Sequence, residues 1–281
     1  MRIFAIGLVL TFSCVNALAD DEGNFDGAIE APVPRGSSGG SSPSFGMGFG
    51  GRTFQNVAYN LAGQLYSVDL RLSRPGDWQI GLEAPYIEGT NTGRHTNELG
   101  NVSFHSRFNI WELGDGFSLW IPFSVRIGQK GKQAVIASHH DTYRLGAALE
   151  YRNGRVESRM EAAYSLRAME EDPQWDVGNV ADVGMSLRYV LTGKLAATMG
   201  WDWYRVEPVK FQKKEVGSQV DWSTVSPGLE YRLSRGVDLK SYVAFPLLQS
   251  STPYETDMAL VEVYYPYASS VTFGWGLGAH F

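Results

Sequence analysis

From Phe45 to the C-terminus, apolar side chains recur at every second position in segments separated by turn-forming residues. A period of two marks a β-strand with one apolar face. Phe45, Met47 and Phe49 alternate with glycines, and Tyr66, Val68, Leu70 and Leu72 lead to the turn Arg74-Pro75-Gly76-Asp77. Trp78, Ile80, Leu82, Ala84 and Tyr86 carry the chain to a polar stretch, Glu88 to Glu98. Val102, Phe104, Phe108 and Ile110 reach the turn Leu113 to Gly116, and Phe117 to Ile127 lead to a longer loop, Gly128 to Asp141. Tyr143 to Tyr151 end at Asn153-Gly154, a tight-hairpin signal. Val156 to Leu166 precede the loop Glu170 to Asn179, and Val183 to Tyr189 reach Thr192-Gly193. Leu195 to Trp203 precede the loop Glu207 to Gln219, and Val225 to Leu233 reach Ser234-Arg235-Gly236. Val237 to Leu247 precede the longest loop, Gln249 to Pro266, and a closing strand runs from Val271 to Phe281.

The pattern predicts an all-β chain of about twelve strands in which tight turns and longer loops alternate. A soluble sandwich has no reason to keep its tight turns at one end, whereas a transmembrane up-and-down β-barrel does. Segments of about 10–14 residues exceed the roughly 9–11 tilted residues needed to cross a bilayer. Aromatic residues fall near the strand ends, with Trp78, Phe117, Tyr151, Tyr189, Tyr231 and Phe281 on the turn side. Tyr86, Tyr143, Trp203 and Phe245 fall on the loop side, so the two sets read as interfacial girdles. Charge respects the alternation: Glu230 and Arg232 share the face opposite Leu229, Tyr231 and Leu233. A one-residue slip would put both into lipid, at about 2–4 kcal/mol for a midplane arginine.

Composition narrows this further. The 281 residues are 43% hydrophobic, yet past residue 20 no apolar run approaches the length of a membrane helix. Arg2, the apolar run Ile3 to Leu10 and Ala17-Leu18-Ala19 read as a signal peptide over residues 1–19. Its Cys14 lacks the aliphatic residue three positions upstream that lipidation expects. Removing residues 1–19 takes away Arg2 and no acid, moving the net charge from −6 to −7 and leaving no cysteine. Stability must then come from strand pairing and burial rather than disulfides. A net acidic chain without a basic run is a poor nucleic-acid binder. Residues 20–44, rich in Gly, Ser, Pro and acid, read as a disordered periplasmic lead-in, with a plug or partner-docking tail as the alternative. The barrel is expected over residues 45–281.

Alternation places a basic group on the inner face of each descending strand near the turns: Arg71, Arg107, Arg152, Arg188, Arg232 and His280. Inner carboxylates are Asp69, Glu83, Glu150, Glu157, Glu161, Asp182, Asp202, Glu230 and Asp238. His105, Arg126, Arg144, Arg159, Arg167 and Lys240 complete the candidate pore lining. These groups form either a ladder of cross-strand ion pairs or a constriction whose free arginines favour anions. Arginine suits both readings. Pro85, Pro122 and Pro246 cannot donate to a ladder, so bulges or rim positions are expected there, with the rings turned inward.

Val271 to Phe281, with glycines on the inner face and a terminal aromatic, resembles the closing strand of bacterial outer-membrane barrels. The resemblance implies that the barrel-assembly machinery reads Phe281. Val225-Ser226-Pro227-Gly228-Leu229-Glu230-Tyr231-Arg232-Leu233 and Val243-Ala244-Phe245-Pro246-Leu247 are similar to the outer-membrane proteins linked to the meta-pathway of phenol degradation. The similarity runs from about Leu99 to Leu248, and Ile127-Gly128-Gln129 stands where that family often has a Pro-Thr-Gly turn. It implies transport of small, aromatic solutes across the outer membrane and supplies no site residues.

An outer-membrane lipid hydrolase would need a Ser–His pair on the lipid-facing wall, and His105 and Ser106 point to opposite faces while Ser103 and His105 share the inner one. His139, His140 and Asp141 lie in a loop, where a metal site or a plain polar loop are both open readings. The glycines Gly46, Gly48, Gly50 and Gly51 belong to a strand, so no phosphate-binding loop and no cofactor is expected. The sequence thus reads as a monomeric outer-membrane channel for small solutes, in contact with outer-membrane lipid. A closed-lumen structural barrel and a lipid-modifying enzyme are the alternatives.

Overall fold

The computed structural model describes residues 43–56, 61–74, 76–91, 94–128, 140–168, 175–176, 178–208, 210–215, 219–249 and 271–281. The expected signal peptide and nearly all of the lead-in fall on residues 1–42, outside the described residues, as do Pro75, His139 and the stretch 250–270.

Strands β1 (Ser44–Asn56), β2 (Leu61–Arg74) and β3 (Trp78–Asn91) form an antiparallel meander, and β4 (Arg94–Leu99) folds back on the far end of β3. The meander continues through β5 (Ser103–Gly114), β6 (Phe117–Arg126), β7 (Asp141–Asn153) and β8 (Val156–Ala168). After the two-residue β9 (Trp175–Asp176) come β10 (Val180–Val190) and β11 (Leu195–Val206), then the short β12 (Lys210–Phe211) and β13 (Lys214–Glu215). The last three strands are β14 (Val220–Ser234), β15 (Val237–Gln249) and β16 (Thr272–His280). Pairing of β16 with β1 and of β2 with β3 closes the main sheet into a twelve-stranded antiparallel barrel, from which β4 projects as an appendage of β3. Closure leaves no sheet edge within the wall.

The turns follow from local chemistry. Gly154, in the Asn153-Gly154 hairpin, takes a φ of 59°, as a tight right-twisted hairpin requires. Gly236 takes a φ of 80°, and a Cβ there would come within 2.6 Å of the His280 carbonyl oxygen. No other residue fits that turn without moving β16.

Polarity is inside out. Met47, Leu70, Leu145, Met185, Leu229 and Phe273 point outward and are between 39% and 58% exposed. Their neighbours in sequence, such as Arg144, Glu230 and Asp69, are buried in the lumen. An exterior of this kind is stable against hydrocarbon rather than water. Replacing Met185, at the midpoint of β10, by arginine is therefore expected to cost about 2–4 kcal/mol, against about 0–1 for Leu191→Arg at the turn-side rim. Denaturant unfolding in lipid vesicles checks the contrast, and equal costs at the two depths would contradict a lipid-facing wall.

Three expectations change. The polar stretch Glu88 to Glu98 is largely ladder rather than loop, because β3 runs on to Asn91 and pairs with β4. Beyond the apolar belt, water replaces lipid as neighbour, so the outward face no longer needs to be apolar and the period of two fades. The loops Glu170 to Asn179 and Glu207 to Gln219 pair with each other: β12 pairs β9 on one side and β13 on the other. Gln212 and Lys213, with φ of 49° and 68°, make the two-residue turn of that hairpin. Pro122 lies at neither a bulge nor a rim. The β6–β7 ladder skips Ile121 and Pro122 while keeping register, from Trp120↔Ala148 to Phe123↔Leu145. Gly146 makes room, since a Cβ there would lie 3.2 Å from the Pro122 ring. Pro85 sits where β3 exchanges β5 for β4, and Pro246 lies past the end of the β15–β16 ladder.

Candidate functional site

Among the described residues, the inner face carries three clusters of charge. The first is central. Arg144 of β7 bridges Glu161 of β8 at 2.6 Å and Asp182 of β10 at 2.6 Å. Arg159 pairs with Glu161 and approaches Glu150 at 3.8 Å. Glu150 also accepts from Arg107 at 2.6 Å and from Arg152 at 3.2 Å. Arg107 donates to Gln79 at 3.0 Å and lies over the Trp120 ring, 4.8 Å from its centroid. Apart from Arg152 at the open end, the charged groups of this cluster are buried, so their mutual pairing replaces water.

The second cluster faces the turn side. Arg188 reaches Glu230 at 2.6 Å and Glu157 at 3.3 Å, Lys240 lies 3.7 Å from Glu230, and Arg232 lies 3.3 Å from Asp238. Cross-strand register puts these partners opposite each other: Arg188↔Glu157, Glu230↔Lys240 and Arg232↔Asp238. In the third cluster Arg71 pairs with Asp69, whose other oxygen is 3.7 Å from His105 Nε2. The His105 ring lies against Gly81, where a Cβ would collide with it. Arg126 is fully buried and donates to Thr142 Oγ1 at 3.0 Å. Glu83 stands opposite Asp69 and Ser103, Asp202 opposite Gly184 and Thr224, and His280 opposite Gly46. Arg167 is buried opposite Thr142.

The inner faces of β1 and β16 are nearly bare, with Gly46, Gly48 and Gly50 facing His280, Gly278 and Gly276 across the ladder. Side chains from the flanks use the space: the Tyr242 ring of β15 lies over Gly274, where a Cβ would fall inside it.

Alternation did not point to the apolar residues of the lumen. Val180, Tyr204, Val206 and Trp222 form a buried cluster at the loop-side end, with the Tyr204 and Trp222 rings stacked at 5.1 Å. Leu65 and Ile87 are buried on the inner face of β2 and β3, across the barrel from them. The signal was present: Tyr204 and Trp222 share the phase of Asp202 and Thr224, opposite the outward Trp203. Trp120 likewise shares the phase of Ser124 and Arg126.

The candidate lipase pair is not assembled, since His105 faces inward opposite Gly81 and Ser124, and neighbouring Ser106 takes the outward phase of Phe104 and Phe108. Of the loop triad only His140 and Asp141 lie within the described residues, and Asp141 accepts from the Gly128 amide at 2.6 Å. Terminal Phe281 is exposed, stacks on Phe45 at 6.3 Å and exchanges backbone hydrogen bonds with it at 2.8 and 3.2 Å.

No family model matches the chain, and no curated protein matches it. Among solved structures, the COG4313 outer membrane channel from Pseudomonas putida F1 superposes with a TM-score of 0.65 at 9% identity, covering 90% of this chain and 100% of that one. The KdgM porin gives 0.51 at 9% identity over 84% of this chain and 99% of that one, and the NanC porin 0.50 at 10% over 85% and 99%. At such identities the likeness is one of fold: this chain has the architecture of outer-membrane β-barrels.

Proposed function

We propose that the chain is an outer-membrane channel for the passive passage of small solutes, with a preference for anions. The observation that carries this is which charges reach open space. At the turn-side mouth the side chains of Arg152 and Arg232 are 42% and 29% exposed, while their partners Glu150 and Asp238 are 5% and 1% exposed. At these two pairs the accessible charge is basic although the formal charges are paired, with Glu157 of the same cluster an acid at 24% exposure, and charged linings of one sign select the opposite ion. The channel description of the similarly folded Pseudomonas protein supports the reading. The resemblance to the phenol meta-pathway proteins extends it to small aromatic solutes. Outer-membrane lipid then surrounds the wall, and the barrel-assembly machinery reads Phe281.

The second reading is a closed barrel, favoured by the buried central cluster and the loop-side apolar collar. A lipid-modifying enzyme has no matching geometry at His105 and Ser106, which occupy opposite faces. Single-channel recording in planar bilayers under a salt gradient decides between channel and closed barrel. The expected result is a conducting, anion-selective pore whose reversal potential moves toward the cation value in Arg232→Glu. Conductance without that shift means Arg232 lies off the path; no conductance and no solute flux leaves the closed barrel.

A further inference from the structure

We propose that the outer wall holds an anionic phospholipid of the turn-side leaflet, with an acyl chain in a groove over β8 and the headgroup phosphate on Arg155 and Lys194. The site rests on the lipid-facing barrel and not on the channel reading. The groove has a volume of about 410 Å³ and is lined mainly by apolar side chains. Its cause is a small residue among large ones. Tyr151 of β7, Ser158 of β8, Leu187 of β10 and Met199 of β11 stand in one outward row across the ladders. Ser158 reaches least far, so the wall dips at β8. Tyr151, tilted against Phe117 with ring centroids 4.6 Å apart, makes one bank, and Leu187 with Met199 makes the other. The next row toward mid-membrane holds Met160, Met185 and Trp201. Methionines adapt to an irregular guest. Trp201 stands opposite Met185 at the middle of β10, away from the girdles where headgroup contact accounts for an outward tryptophan. Beside an acyl chain it supplies a broad apolar contact.

The groove leads to two bases. From Ser158 toward the turns the next outward row is Val156, Tyr189 and Ala197, and the turns follow. Arg155 stands in the β7–β8 turn and Lys194 in the β10–β11 turn, both exposed and with no acid in either turn. Val190 N–H donates to the Arg155 carbonyl at 2.8 Å, which fixes the two turns side by side. From β8 to β11 is two strand spacings, on the order of 10 Å, so two long side chains can flank one phosphate. Depth fits as well. Arg155 to Met160 is about 17 Å along β8, or roughly 13 Å of depth at the usual strand tilt, against about 15 Å for half the hydrocarbon core. Charge confines the anion to this side of the rim: the β5–β6 turn carries Asp115 with Glu112 close by, and Arg74 at the β2–β3 turn is paired with Asp77 at 3.2 Å. A second copy packing groove to groove about a two-fold axis would set Arg155 and Lys194 against their like. A lipid phosphate meets them with the opposite charge.

The test gives the purified chain, folded by its heat-modifiable migration, equal amounts of phosphatidylglycerol and phosphatidylcholine in detergent. Native mass spectrometry is expected to show phosphatidylglycerol retained on the order of ten-fold over phosphatidylcholine, since each base near a headgroup adds roughly five-fold before screening. Arg155→Gln with Lys194→Gln should remove the preference, whereas Arg235→Gln, one turn farther along the rim, should keep it. Ser158→Phe fills the groove, leaves both bases in place and should lower retention several-fold. Unchanged preference without the two bases overturns the proposal, because the headgroup then sits elsewhere. Unchanged retention in Ser158→Phe overturns it too, because the groove is then not used. So does a dimer in place of the bound lipid, because the groove then serves a second copy. A readout that keeps Ser158 uses vesicles with brominated acyl chains, which quench Trp201, taken as the parent signal minus that of Trp201→Phe. Half-quenching is expected at a several-fold lower fraction of brominated phosphatidylglycerol than of brominated phosphatidylcholine. The difference should vanish at about 1 M salt, where screening is nearly complete. Equal quenching by the two lipids at low salt overturns the headgroup selection.

Discussion

Arg144→Met will destabilise the barrel by about 3–5 kcal/mol, the range for breaking a buried ion pair by removing one partner. Arg144 is the shared cation of two carboxylates from different strands, Glu161 and Asp182, each 2.6 Å away. Glu161 retains Arg159, but Asp182 keeps no other base in the cluster as described. A carboxylate left in a dry lumen must take up a proton or draw water into the packed interior. Arg152→Met is the control. Its side chain is half in water and its partner Glu150 keeps Arg107, so a loss of about 0–1 kcal/mol is expected, as for exposed pairs. Denaturant midpoints for folding into lipid vesicles provide the readout, with the slope unchanged if both variants unfold from the same native state. Adding Asp182→Asn to Arg144→Met should recover most of the loss, because the stranded carboxylate is then neutral while Glu161 keeps Arg159. Equal midpoints for Arg144→Met and Arg152→Met would mean that the central cluster is wet.

The outer face of this wall was legible because hydrocarbon imposes one rule at every second position. Met160, Ala162, Tyr164 and Leu166 of β8 obey it, and so do Met185, Leu187 and Tyr189 of β10. The inner face obeys a looser rule. It has to be filled and satisfied, by charges in pairs or by apolar groups in contact, and alternation distinguishes neither. That is why the charged members were foreseen and Trp120, Tyr204 and Trp222 were not. The partners were also out of reach of pattern reading. Register sets Arg144 opposite Ser165 rather than opposite either of its carboxylates, which long side chains reach on the diagonal. The loop pairing of Trp175–Asp176 with Lys210–Phe211 was hidden for another reason: two-residue strands are too short to show a period.

Truncating the stacked pair, Tyr204→Ala with Trp222→Ala, is expected to raise single-channel conductance several-fold, the largest functional change that one site in the lumen should give. Both rings are buried in the lumen beside Val180 and Val206, at the loop-side end, with Leu65 and Ile87 on the facing wall. An apolar constriction resists hydration and so limits ion flow by dewetting as well as by width. The central cluster resists ions in another way, because its charges are buried and paired and a passing ion has to displace a partner. Removing two large buried aromatics costs stability as well, about 3–5 kcal/mol for each truncation, so the recording needs protein shown to be folded by its heat-modifiable migration. Tyr204→Phe keeps the ring and removes the hydroxyl, and should leave conductance unchanged if ring volume and dryness are what matter. A folded double variant that conducts like the parent would move the barrier off the collar and onto the ion-paired clusters. Anion preference would then be set and limited at the same place.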